Sequence, residues 1–260
     1  MIPDYTLVCG VDAKHLTQLK LTFPTWAKHK SSLLDVPMVV FYDYHQVQPH
    51  EIDIDHPRLI KIAWPPAPIS YPGNPADKFS HPQRHRMLSG FVHVPALAVR
   101  TPYWLKLDTD VVATGIDNWI DEAWFDGNPE IVAHPWGFTK PPDQMQVLDL
   151  WVEQCSDELH LLRSKPALEM RHVPGRDRIS HPRVISWCGF FNTTFTSMSA
   201  KWASDTCGPC RIPVPSQDGF MWYVATRLGM KIVRPRMKRR GWEHWSTERN
   251  IKMAVGKAMM

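Results

Sequence analysis

The sequence predicts an α/β fold on a mostly parallel, doubly wound sheet flanked by helices, giving way to a mixed second half. Two observations predict it. Short apolar runs alternate with helix-period segments through the first half, and beyond Asp110 the pattern becomes mixed. At 260 residues the chain suits one α/β unit with two lobes, and no internal repeat competes with that reading.

Tyr5-Thr6-Leu7-Val8-Cys9-Gly10 reads as the first strand, and Asp12 opens a helix carrying Leu16, Leu19 and Phe23 on one face. Val36 to Tyr42 is a second strand ending at Asp43. Leu59 to Ala63 is a third, followed by a Pro-rich loop from Trp64 to Pro75. Arg84 to Val99 has a helical pattern that Pro95 is expected to kink or divide. The run from Thr101 to Leu107 is the next strand and leads into Asp108. Beyond Asp110, Glu130 to Ala133 and Val184 to Trp187 read as strands with a helical piece around 147–162 between them. Gln217 to Leu228 reads as a helix, then Met230 to Val233 as a last strand. Ligands of such sheets bind outside the carboxyl ends of the strands, so Gly10, Asp12, Asp43 and Asp108 are expected on one rim.

Composition bounds the function. A formal charge of +4 suits anionic ligands such as nucleotide diphosphates and is too mild to demand nucleic acid. No segment approaches the ~20 apolar residues that span a bilayer, and Met1-Ile2-Pro3-Asp4 lacks a signal pattern, so a cytoplasmic protein is expected. Five irregularly spaced cysteines fit a reducing compartment. Cys207-Gly208-Pro209-Cys210 has a thioredoxin spelling, but Arg211-Ile212-Pro213-Val214-Pro215 follows and cannot start a helix, so a turn is expected rather than a redox site. Most of the 12 tryptophans are expected in packing roles.

The most informative motif is Asp108-Thr109-Asp110 at the end of an apolar strand. Two carboxylates two residues apart point the same way on an extended backbone and can meet one hard cation. Chance supplies about one such spacing in a chain of this composition. Asp53-Ile54-Asp55 has the same spacing among Glu51, His56 and Pro57, where it reads as a polar turn. Context favours Asp108 and Asp110.

The pieces Leu7 to Asp12, Pro37 to Asp43, Tyr103 to Asp110, Gly189-Phe190-Phe191-Asn192, Gln217-Asp218 with Arg227 to Ile232, and Glu243-His244-Trp245, in this order, resemble the GT-A-fold glycosyltransferases. These enzymes move a sugar from a nucleotide diphosphate donor to an acceptor. The resemblance implies a nucleotide-sugar-binding half at 1–110, an acceptor-binding half at 111–233 and a basic tail at 234–260 that closes over the site. It implies Mn²⁺ or Mg²⁺ held by Asp108, Asp110 and His244, the imidazole tilting the choice towards Mn²⁺. It makes Gly10, Asp12, Asp43, Arg86, Asp108 and Asn192 the nucleotide-sugar contacts and Asp218 the general base on an acceptor hydroxyl, of a glycan or a lipid carrier.

Each assignment has a plainer alternative. Asp43 suits a strand-end turn, Arg86 in Arg84-His85-Arg86 a solvated helix face, Asp218 a helix N-cap, and His244 a surface position between Trp242 and Trp245. The dense basic run Arg234, Arg236, Lys238, Arg239 and Arg240 is either a solvated face or a grip on an anionic acceptor, with at most peripheral membrane contact. Two other functions fit such a sheet. A sugar-phosphate nucleotidyltransferase would carry a Gly-rich basic loop after the first strand, where this chain has Gly10-Val11-Asp12-Ala13-Lys14. A catalytically silent carbohydrate-binding or scaffold protein would keep the fold alone.

Overall fold

The computed structural model describes residues 1–64, 82–115, 117–140, 171–172, 179–210, 221–222, 224–226 and 228–260. Four parallel strands form its first half: β1 (Tyr5–Val11), β2 (Met38–Asp43), β3 (Leu59–Trp64) and β4 (Tyr103–Leu107), in the spatial order β3-β2-β1-β4. A separate two-stranded ribbon pairs β5 (Val111–Ala113) with β10 (Trp242–His244) antiparallel. The second half of the main sheet adds β6 (Ile131–Lys140), β7 (Arg171–His172), β8 (Ile179–Asn192) and β9 (Ile232–Val233). Here β8 runs antiparallel to β4, β6 and β7, and β9 is parallel to β6. The sheet is mostly parallel where the strands are joined by helices and mixed beyond β4, as the sequence predicts.

Alternation along the strands supplies both faces. Leu105 and Leu107 point to the side covered by α1 (Ala13–His29), packing with Leu16, Leu19, Phe23 and Trp26. Trp104 points to the other side, against α2 (Pro82–Ala98) and α3 (Thr193–Cys210), where Phe91, Phe195 and Ala200 are buried. Five tryptophans, Trp26, Trp104, Trp119, Trp187 and Trp242, are among the largest fully buried side chains. These indoles are therefore core, as composition suggests.

Several expectations change. α2 is not divided at Pro95: one helix runs through that residue to Ala98. Cys207 to Cys210 lies in the last turn of α3 rather than in a turn outside a helix. The segment read as a basic tail is built into the fold. After a 3₁₀ turn at Met237–Arg240 it forms β10, then α4 (Glu248–Met259), whose Ile251, Ala254 and Ala258 pack with Val112 of β5 and with Leu21 of α1. Lys28 donates to the carbonyls of Ala258 and Met259 at 3.2 and 2.8 Å, closing the carboxyl end of α4 with positive charge. The expected helix around 147–162 lies outside the described residues. Among those that are described, no helix is long and apolar enough to cross a membrane.

Candidate functional site

β4 ends at Leu107, and Asp108-Thr109-Asp110 forms a tight turn into β5, with the Val111 amide donating to the Asp108 carbonyl at 3.2 Å. The two carboxylates are thus brought together by a turn, not by the extended backbone that the sequence suggests. Thr109, between them, is buried and faces α1. Its hydroxyl donates to Gln18 Oε1 at 2.9 Å, and its carbonyl accepts from the Thr22 hydroxyl at 2.9 Å. Trp26 Nε1 donates to the Val111 carbonyl at 2.7 Å, and Thr25 Oγ1 accepts from the Ala113 amide at 3.0 Å. One face of α1 therefore fixes the turn and β5 together.

β10 delivers His244 to that turn. The register sets His244 opposite Val111, and the Trp245 amide donates to the Asp110 carbonyl at 3.1 Å. His244 Nε2 stands 3.2 Å from Asp110 Oδ1, and one ligand atom each from Asp108, Asp110 and His244 lie within 4.8 Å of one another. Beneath His244 the buried Trp187 ring stacks at 5.8 Å with 16° between planes, and the Asp108 amide donates to the Trp187 carbonyl at 2.9 Å. Lys106, almost wholly buried, forms an ion pair with Asp108 from within the strand.

The electrostatics follow from this crowding. Burial raises the Asp108 carboxyl above the ordinary range, Lys106 opposes it, and the neighbouring Asp110 adds to it. Burial works against the His244 imidazolium, but Asp110 and Asp108 together outweigh it and raise the imidazole. Apart from the approach of His244, the buried Asp110 Oδ1 has no hydrogen-bond partner among the described residues. A carboxylate oxygen so poorly satisfied, beside a second carboxylate and an imidazole, completes a donor set that suits Mn²⁺ or Mg²⁺. The residues fit the cation.

The expected nucleotide contacts are distributed unevenly. Asp12 follows β1 and Asp43 is the last residue of the adjacent parallel β2, on the carboxyl rim that also carries Asp108. Asp12 caps α1, Oδ1 accepting from the His15 amide at 2.9 Å, and Asp43 accepts from the His45 amide at 3.1 Å and from Gln46 Nε2 at 2.7 Å. Both carboxylates thus also shape local turns. Gly10 is buried where a Cβ would come within 2.3 Å of the Phe41 ring, so close packing requires it. Asn192 is not brought to this rim. Because β8 runs antiparallel to β4, Asn192 pairs with Tyr103 at the opposite end of the sheet, roughly 16 Å along the strand from Asp108. There Asn192 Oδ1 accepts from the Phe195 amide at 3.1 Å and caps α3. Arg86 is on the first turns of α2, where the backbone alone is described, and Asp218 lies outside the described residues. Sequence reasoning missed Lys106 and Trp187. A lone Lys inside an apolar strand, two residues before an aspartate, was the signal for the first.

No protein-family model matches the chain, and no curated protein matches it by sequence. Solved structures do match its fold. Core-mannan synthase A of Aspergillus fumigatus, in a Mn/GDP form, superposes with a TM-score of 0.57 at 14% identity over 94% of this chain and 75% of its own. The mannosyltransferase Ktr4p of S. cerevisiae gives 0.55 at 10% identity over 93% of this chain and 70% of its own. The galactosyltransferase LgtC, in complex with donor and acceptor sugar analogs, gives 0.51 at 11% identity over 98% and 96%. The chain has the fold of the GT-A glycosyltransferases.

Proposed function

We propose that this protein is a metal-dependent glycosyltransferase that moves a sugar from a nucleotide diphosphate donor to a hydroxyl of a glycan or lipid-linked acceptor. The observation that carries the reading is the Asp108, Asp110 and His244 cluster on the carboxyl rim, with its poorly satisfied Asp110 oxygen. The likeness to glycosyltransferases of known structure, one of them in a Mn/GDP form, supports it.

In this reading Asp110 and His244 ligate a Mn²⁺ or Mg²⁺ ion and Asp108 shares it. When bound, the cation neutralises the charge that develops on the departing nucleoside diphosphate. Asp12 and Asp43 meet the ribose or base from the same rim, and Arg86 meets the diphosphate. Asp218 takes the proton from the acceptor hydroxyl, which requires hydrogen-bond reach of that proton. Arg234, Arg236, Lys238 and Arg239, all exposed, grip an anionic acceptor, whereas Arg240 is engaged by Asp121 at 3.1 Å.

The test is incubation with a panel of nucleotide-sugars and MnCl₂, following release of the nucleoside diphosphate with and without added acceptors. Release that needs the metal and is specific to one donor supports the reading. No release from any donor, or pyrophosphate formed instead from a sugar phosphate and a nucleoside triphosphate, overturns it. Asp218→Asn should keep donor binding and lose transfer to the acceptor, and equal loss of both would reduce Asp218 to a helix cap.

A further inference from the structure

Lys106 occupies an unusual place for an ammonium group. It lies in the middle of the sheet, paired through the backbone ladder with Val8 of β1 and Gly189 of β8, and its side chain is 2% exposed. Its Nζ sits 4.5 Å from the centre of the Phe91 ring and reaches along the strand to Asp108. Residues two apart on a strand share a face, so the spelling Lys-Leu-Asp aims this ammonium at this carboxylate. A charge so deep is strongly disfavoured unless paired, and among the described residues Asp108 is a carboxylate that pairs with it. The consequence concerns the cluster beyond it. Asp108 and Asp110 would give two negative charges to a cation, but Lys106 has already offset one.

We propose that Lys106 is a positioning residue that acts through Asp108 as a resident counter-cation, lowering the affinity of the Asp108, Asp110 and His244 site for a bare divalent ion. The inference rests on the metal reading above and deepens it. With the charge of Asp108 shared, the site holds the ion weakly by itself and relies on the negative charge that a nucleoside diphosphate brings. A unit charge near a dication is strongly felt at the effective dielectric of a protein interior, so its removal is expected to change affinity by about tenfold or more.

The experiment is a titration of the full chain with MnCl₂ alone, followed by the electron paramagnetic resonance signal of free Mn²⁺. Lys106→Met is expected to bind Mn²⁺ about tenfold or more tightly than the wild type, and Lys106→Arg to bind like it. If the methionine variant does not fold, Lys106→Gln keeps a polar contact to Asp108 without the charge and is expected to bind more tightly too. A lysine that merely supported the fold would, on replacement, lower the melting point and leave Mn²⁺ affinity unchanged or weaker. Mn²⁺ bound by the wild type and no more tightly by the neutral variants therefore sinks this inference alone. Mn²⁺ bound by none of the proteins sinks the inference too, and Mn²⁺ bound by none of them even with GDP or UDP added sinks the metal reading with it.

Discussion

Gly241→Ala is the sharpest perturbation of the site that touches none of its ligands. Gly241 has φ +75°, in the left-handed region, and a Cβ there would lie 2.2 Å from the Thr114 carbonyl oxygen. Backbone cannot swing aside as a side chain can, and the Thr114 amide donates to the Gly241 carbonyl at 2.8 Å at the start of the β5/β10 ribbon. A non-glycine residue in this conformation costs about 1–2 kcal/mol. Relieving the clash adds about 1–3 kcal/mol, as overpacking usually does. The sum, about 2–5 kcal/mol, is a large part of a domain's stability. If the chain relieves it by moving β10, His244 leaves Asp110. Urea unfolding should therefore show a loss in that range, and Mn²⁺ titration of the folded fraction a weaker site. Gly256→Ala is the control. Gly256 is exposed within α4, with nothing within 4 Å of the position that an added methyl group would take, and the change should stabilise by about 0.5–1 kcal/mol. A Gly241→Ala protein as stable as the wild type, with unchanged Mn²⁺ affinity, would refute the claim that this turn sets His244.

Other outcomes follow from the same geometry. His244→Ala should weaken Mn²⁺ binding by about an order of magnitude or more and leave the fold intact. Because the folded protein raises His244, its stabilising effect in the metal-free protein is present at pH below the unfolded value near 6.5 and lost as pH rises through the folded value. Mn²⁺ affinity should accordingly fall with decreasing pH from above the usual histidine range, and that slope should flatten in His244→Ala. Lys30 is fully buried, donating to the Thr114 and Arg240 carbonyls at 3.0 and 3.2 Å, and burial lowers it from 10.5 to about 8. Between those values the unfolded chain binds more protons, so stability relative to Lys30→Met should rise from about pH 8 towards 10, read by urea unfolding. Parallel curves for the two proteins would refute it.

How much of this was legible in the sequence depends on length and direction. β1, β2 and β4 are five to seven buried residues each, long enough for their apolar runs to show, and the aspartates at or just after their ends mark the rim. The Asp108 and Asp110 pair stands out from Asp53 and Asp55 by the strand leading into it. β5 and β10 are three residues each, too short for any period, so only their pairing reveals why His244 arrives beside Asp110. Asn192 shows the limit from direction. Gly189 to Asn192 reads as a strand end in either sense, and whether it lies at the rim depends on the antiparallel sense of β8, which local sequence does not encode. Lys106 escapes detection because one lysine does not interrupt a strand pattern.

The central claim is that Asp108, Asp110 and His244 hold a divalent cation that joins a nucleoside diphosphate to this rim. The most direct measurement is the melting temperature of the wild type and of Asp110→Asn with GDP and with UDP, each with and without MnCl₂, since a ligand of the folded state raises it by mass action. The expected result is a rise for one diphosphate that needs Mn²⁺ and is lost in Asp110→Asn, whereas Asp53→Asn behaves as the wild type. The same rise without Mn²⁺, or its survival in Asp110→Asn, would contradict it.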